Sequence, residues 1–204
     1  MTPGSLSIKS EAGPWSKPEA NGYLAVAAVG VLAGIAVAYA RMPLHLPGHK
    51  ALWWIPPVLA ARLLTRCRLG ASVGAIATVL TTLSLGGRMA GGAAGAPLVA
   101  LAGVVLDLAA GCSLRLRSGR WSALLLLGSA GAIGNLICFT KRLFESNGTF
   151  LPTATWEELW RAAATHLVFG FAAGALAALM TAVAERLVQG GILPRRRDPQ
   201  PGRH

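Results

Sequence analysis

Six apolar runs dominate this chain and restrict it to an α-helical membrane fold. They lie at about residues 22–40, 51–65, 69–87, 96–112, 121–139 and 164–188. A helix needs roughly 20 apolar residues to cross the hydrocarbon core with its backbone polar groups bonded internally. The chain is 53% hydrophobic and 13% charged, whereas soluble domains carry about a quarter charged residues. We therefore predict an all-α membrane protein with six transmembrane helices in residues 22–188.

The distribution of positive charge predicts which way the spans run. The flanking segments 1–21 and 189–204 have no periodic apolar face, and we expect both to be disordered tails. With six spans, thirteen of the nineteen Lys and Arg residues lie on the side of the tails. Cytoplasmic loops carry the excess of Lys and Arg, so both termini are predicted to be cytoplasmic. The Arg-rich, Ala-rich composition is typical of a bacterial protein, which would place it in the inner (cytoplasmic) membrane.

Two function classes are disfavoured by the sequence. The formal net charge of +11 is spread between apolar runs rather than gathered on one basic domain, so we expect no nucleic-acid partner. The chain has no H-E-x-x-H or Walker sequence, and we predict neither an enzyme nor a bound cofactor. The three cysteines have no metal-site spacing.

Polar groups on the predicted outer side form the candidate binding site. The turn after the first span carries His45 and His49, and Asn135 and His166 fall in the outer halves of later spans. Trp53 suits the membrane interface beside them. His45, His49 and His166 are the candidate ligands if a metal binds. The alternative interpretation is that the loop histidines are solvated and that His166 anchors a helix near the headgroups.

Asp107 is the only acidic residue well inside a predicted span. A charge at membrane depth is costly, so we expect it to be hydrogen-bonded, protonated or close to a cation such as Arg62. Arg62 itself lies near a span end, from which its side chain would reach toward water.

The first span carries small residues at four-residue spacing, a pattern that lets a second helix approach closely in lipid. The candidate positions for docking a partner are Gly30, Gly34, Ala36 and Ala40.

Six spans in about 200 residues, this small-residue stripe, the run GVVLDLAAG and the final helix HLVFGFAAGALAAL together resemble the substrate-binding S component of energy-coupling factor (ECF) transporters. The resemblance is architectural and covers residues 22–187. It implies a subunit that captures a vitamin-like molecule, or less favourably a metal, at its outer face. It also implies two kinds of partner: a transmembrane coupling subunit, docked on the first helix, and two ATPase subunits.

Two other functions stay open from the sequence. A non-transport membrane scaffold or assembly protein would bind partner helices through its Gly and Ala faces. A small membrane enzyme using His45, His49 and Asp107 ranks last, because Asp107 is predicted to lie toward the inner side.

Overall fold

The computed structural model describes residues 17–39, 46–87, 89, 93–115, 119–143 and 155–189. All regular elements in these ranges are helical. The α-helices are α1 (Lys17–Tyr39), α2 (Ala51–Thr65), α3 (Gly70–Ser84), α4 (Ala96–Arg115), α5 (Arg120–Phe139) and α6 (Trp156–Gln189). Short 3-10 helices at Ala93–Gly95 and Thr140–Leu143 flank α4 and α5. The predicted tails lie outside the described residues, apart from 17–21 and 189, which are helical.

The helices are those of a multi-pass membrane protein. Within the described ranges, α1, α4, α5 and α6 are long and apolar enough to cross a bilayer. Helices α2 and α3 have 15 residues each, which corresponds to about 22 Å, less than the ~30 Å of hydrocarbon. Helix length therefore supports four crossings, and the number of six spans stays a prediction.

Local sequence explains two helix boundaries. Helix α6 begins at Trp156, directly after a capping box in which the Thr155 hydroxyl accepts from the Glu158 amide and the Glu158 carboxylate accepts from the Thr155 amide. Helix α2 runs through Pro56 and Pro57 rather than starting at them. Each proline removes one amide donor from the helical ladder, so the first turn of α2 is held by fewer bonds than an ordinary helix.

Helix α2 is the centre of the bundle. It packs against α1, α3, α4 and α6, and nine of its fifteen residues are buried. The other helices surround it in the order α1, α3, α4, α5, α6, each packed against the next. Its side chains Trp54, Ile55 and Leu59 are among the largest fully buried groups. Helix α2 is thus short, and it is surrounded mostly by other helices of the protein.

Side-chain contacts establish the direction of the helices. Thr78 and Thr82 of α3 donate hydrogen bonds to the carbonyls of Gly30 and Gly34 of α1, so these helices run parallel. A Cβ on Gly22, near the start of α1, would lie 3.6 Å from the Thr65 Cβ at the end of α2, so α2 runs the opposite way. We call the end of the bundle that holds residues 46–50 the turn end. The end at which α1 begins and α6 finishes is the tail end.

Glycines allow the closest helix crossing, between α5 and α6. A Cβ on Gly131 would collide with the carbonyl of Gly170, and one on Gly174 would collide with the carbonyl of Leu127. With no side chains between them, the backbones meet directly, as small residues permit in lipid. This crossing fixes the position of Asn135, one helical turn beyond Gly131.

Candidate functional site

A cavity of about 280 Å³ lies at the turn end of the bundle. It is bounded by the turn 46–50 and by residues of α2, α5 and α6. Its lining residues are Leu46, Pro47, Gly48, His49, Lys50, Ala51, Trp54, Met89, Asn135, Cys138 and His166. Three of the sequence-predicted binding residues, His49, Asn135 and His166, are therefore brought together around one space.

The turn itself is ordered by short-range bonds. The amides of Ala51 and Leu52 donate to the carbonyls of Gly48 and His49, and the His49 Nδ1 donates to the carbonyl of Leu46 at 2.5 Å. Gly48 has φ = +84°, a conformation that glycine adopts without steric cost. A Cβ at Gly48 would also lie 2.9 Å from the His166 Cα and Cγ. Glycine is thus required both by the backbone and by the contact with α6.

Asn135 joins the turn to the bundle. Its Nδ2 donates to the Gly48 carbonyl at 3.2 Å and to the His166 carbonyl at 2.8 Å. One buried amide on α5 therefore holds both the turn and α6, across sequence separations of 87 and 31 residues. Buried polar groups are costly unless hydrogen-bonded, and this pair of bonds explains a polar side chain at membrane depth.

His166 is buried and oriented by its own helix. Its Nδ1 lies 2.7 Å from the Ala162 carbonyl. A carbonyl can only accept, so the proton is on Nδ1. The ring also packs against Phe139 at a centroid distance of 5.1 Å. These contacts fix the imidazole plane, which is what a residue needs in order to present a defined group to a ligand.

The electrostatics of the cavity favour negative charge. No Asp or Glu is among its described lining residues, whereas Lys50 lies at its edge. Partial burial lowers the pKa of Lys50 below its ordinary value of 10.5. Burial disfavours the charged form of a lysine, and an anion bound beside Lys50 would favour it.

The remaining predicted binding residues are placed differently. His45 and Ala40 lie outside the described residues. Trp53 is half-buried and is not among the lining residues; its Nε1 is buried without a hydrogen-bond partner in the described part of the chain. No group of three His, Cys, Asp or Glu side chains in the described ranges is arranged to hold a metal ion.

Sequence reasoning missed several lining residues, notably Lys50, Trp54 and Cys138. Trp53 was the aromatic residue predicted at the site, and its neighbour Trp54 lines the cavity instead. Helix α2 is apolar on most sides, so its sequence did not show which tryptophan faces the cavity. Lys50 could have been included because it directly follows His49. Cys138 lies one turn beyond Asn135 on α5, and this spacing was an available signal.

Asp107 and Arg62 form a second polar centre, nearer the tail end. The Arg62 Nε lies 3.0 Å from the Asp107 Oδ1. The carboxylate also accepts from the amides of Ala71 and Ser72 at 2.9 and 2.8 Å and from the Ser72 hydroxyl at 2.7 Å. Helix α3 has no side-chain cap of its own, so Asp107 of α4 caps it from outside. Arg62 is only 4% exposed, and the prediction that it reaches water was wrong.

Within the chain, the glycines of α1 serve its contact with α3. A Cβ on Gly30 would collide with the Gly74 carbonyl, and one on Gly34 would lie 2.7 Å from the Thr78 carbonyl. Ala36 is half-buried. Docking of a partner subunit at these positions stays a prediction, and such a partner would share α1 with α3.

No model of a protein family, no curated protein and no solved structure matches this chain.

Proposed function

We propose that this chain is the substrate-capture subunit of a membrane importer, and that it binds a small organic solute in the turn-end cavity. The observation that carries the proposal is the bridge from Asn135 to Gly48 and His166. It fastens a short turn over a cavity whose polar groups converge from three separate elements. Small-molecule sites are typically pre-formed spaces with a few placed polar groups on apolar walls.

The size and charge of the cavity indicate the substrate class. A volume of about 280 Å³ lies just below the range of ligand pockets, which run from about 300 to 1,000 Å³. Lys50 and His49 line the space, and no carboxylate is among the described lining residues. These features favour a compact solute with a carboxylate or another strong acceptor. The absence of a described three-residue metal cluster leaves a metal ion as the less favoured cargo.

The proposed topology places the turn end outside the cell. Six crossings, with both tails cytoplasmic, follow from the excess of Lys and Arg at the tail end. Helix α2 would cross within the protein interior, and α3 would cross at its edge, packed on the longer helices α1 and α4. Import would require a coupling subunit and two ATPases, since the proposed chain supplies binding only.

The binding proposal is tested by identifying solutes that co-purify with the protein. The wild type is purified in mild detergent and denatured, and the released small molecules are analysed by mass spectrometry. Cys138→Trp fills the cavity, while Cys112→Trp places the same bulk at an exposed position on α4. We expect one acidic solute with the wild type and with Cys112→Trp, and none with Cys138→Trp. Equal solute content in all three proteins would refute the site.

The transport proposal needs a separate measurement. A tagged chain is recovered from native membranes, and the co-purifying proteins are identified. Stoichiometric recovery of an ATPase pair and a second membrane subunit is the expected result. Recovery of a different membrane complex would favour the scaffold function instead.

A further inference from the structure

A second and larger cavity, of about 580 Å³, lies at the tail end of the bundle. It is enclosed by the ends of α2, α4 and α6 and by the start of α5, and it is remote from the turn-end cavity. Leu63 and Leu127 are buried in its wall, and further Leu, Ala and Val side chains complete an apolar surface. The proposed solute site makes no use of this space.

The polar residues of this cavity carry a net positive charge. Arg120 at the start of α5 and Arg186 near the end of α6 both line it, together with one carboxylate, Glu185. Neither guanidinium has a hydrogen bond or an ion pair within the described part of the chain. Trp121, next to Arg120, also lines the cavity and is 81% exposed. Tryptophan at a helix end is typical of the boundary between headgroups and acyl chains.

We infer that the tail-end cavity binds one anionic phospholipid. Its acyl chain would lie along the apolar wall formed by Leu63 and Leu127, and its phosphate would pair with Arg120 and Arg186. Apolar walls with a basic rim match the two halves of such a lipid, and basic pockets between transmembrane helices on the cytoplasmic side recognise anionic headgroups. A free phosphate ion would pair with the arginines but would leave the apolar wall uncovered, so the geometry favours the lipid.

The experiment compares phosphatidylglycerol with phosphatidylcholine of the same acyl chains. The full-length protein is delipidated in detergent, each lipid is added in turn, and bound lipid is counted by native mass spectrometry. Each arginine that pairs with the headgroup contributes about 1 kcal/mol toward an anionic lipid. The Arg120→Gln/Arg186→Gln double variant should therefore bind phosphatidylglycerol about 30-fold more weakly than the wild type. Its binding of phosphatidylcholine should be unchanged.

Two further variants separate the cavity from general surface charge. Ala182→Trp, at a half-buried lining position, should abolish binding of the anionic lipid by filling the space. Arg115→Gln removes an exposed charge that is near the same end but is not a lining residue, and it should change binding less than twofold.

Three results would overturn the inference. Equal retention of the two lipids by the wild type would remove the headgroup argument. Unaltered phosphatidylglycerol binding by Ala182→Trp would place the lipid outside the cavity. Loss of a co-purifying membrane protein from Ala182→Trp, with lipid binding intact, would assign the cavity to a partner helix.

Discussion

Replacing Asp107 with alanine tests how much the buried ion pair with Arg62 contributes to the stability of the fold. The substitution removes the partner of Arg62, which is 4% exposed and has a second nitrogen, Nη1, already buried without a bond in the described structure. Breaking a buried ion pair by deleting one partner costs about 3–5 kcal/mol, because the remaining charge is left uncompensated. The amides of Ala71 and Ser72 lose their acceptor in the same step. We expect the free energy of unfolding of Asp107→Ala to fall by about 3–5 kcal/mol.

A double variant separates the two contributions. Arg62→Met/Asp107→Leu removes both charges and keeps the volume apolar, a change that is often neutral in buried ion pairs. It still leaves α3 without its external cap, which costs about 0.5–2 kcal/mol. The double variant should therefore be more stable than Asp107→Ala alone, by roughly 2 kcal/mol.

The assay is equilibrium unfolding in mixed micelles with increasing SDS, followed by far-ultraviolet circular dichroism. Glu185→Ala is the control, because this exposed carboxylate makes no ion pair in the described residues, and its effect should stay within about 0.5 kcal/mol. A loss below 1 kcal/mol for Asp107→Ala would refute the reasoning. So would a double variant that is no more stable than the single one.

Three further predictions concern the turn end and the helix crossings. His49→Ala and His166→Ala should each weaken binding of the co-purified solute about tenfold, because each loses one hydrogen bond. Calorimetry measures the affinity, and unchanged affinity in both variants would contradict the site. Asn135→Leu should speed amide hydrogen exchange in the turn before α2 and lower the free energy of unfolding by about 1–3 kcal/mol. Exchange at the wild-type rate would show that the bridge does not hold the turn. Gly174→Leu should prevent folding at the α5–α6 crossing, whereas Gly111→Leu, with open space around it, should fold normally.

The sequence predicted the helices well because their main determinant is local. The range 51–65 coincides with α2, and the run 164–188 lies within α6. Helix α1 begins at Lys17, five residues before the apolar run, because Pro18 and Glu19 suit the first turn of a helix. The lengths of the helices were predicted less well, since the apolar run 69–87 contains only 15 helical residues.

The polar contacts were harder to predict because they join distant segments. The position of Asp107 inside an apolar span predicted that it needs a partner, and Arg62 was the candidate cation. The structure places the Arg62 Nε 3.0 Å from the Asp107 Oδ1. Nothing in the sequence indicated that the same carboxylate caps α3, since that depends on how far α4 is shifted along α3. The bonds of Asn135 likewise depend on the depth at which the glycines of α5 and α6 cross.

The hydroxyls of Thr78 and Thr82 give the α1–α3 contact a property of its own. Each also bonds to its own helix, four residues back, so the two threonines repeat with the same period as Gly30 and Gly34. If α1 moved along α3 by four residues, about 6 Å, Thr78 would face Gly34, but Ala38 would take the place that Gly34 now holds. A Cβ at that place lies 2.7 Å from the Thr78 carbonyl, so the shifted arrangement is blocked. The contact therefore holds α1 and α3 in one register, and the two helices would have to move as one body in any rearrangement of the protein.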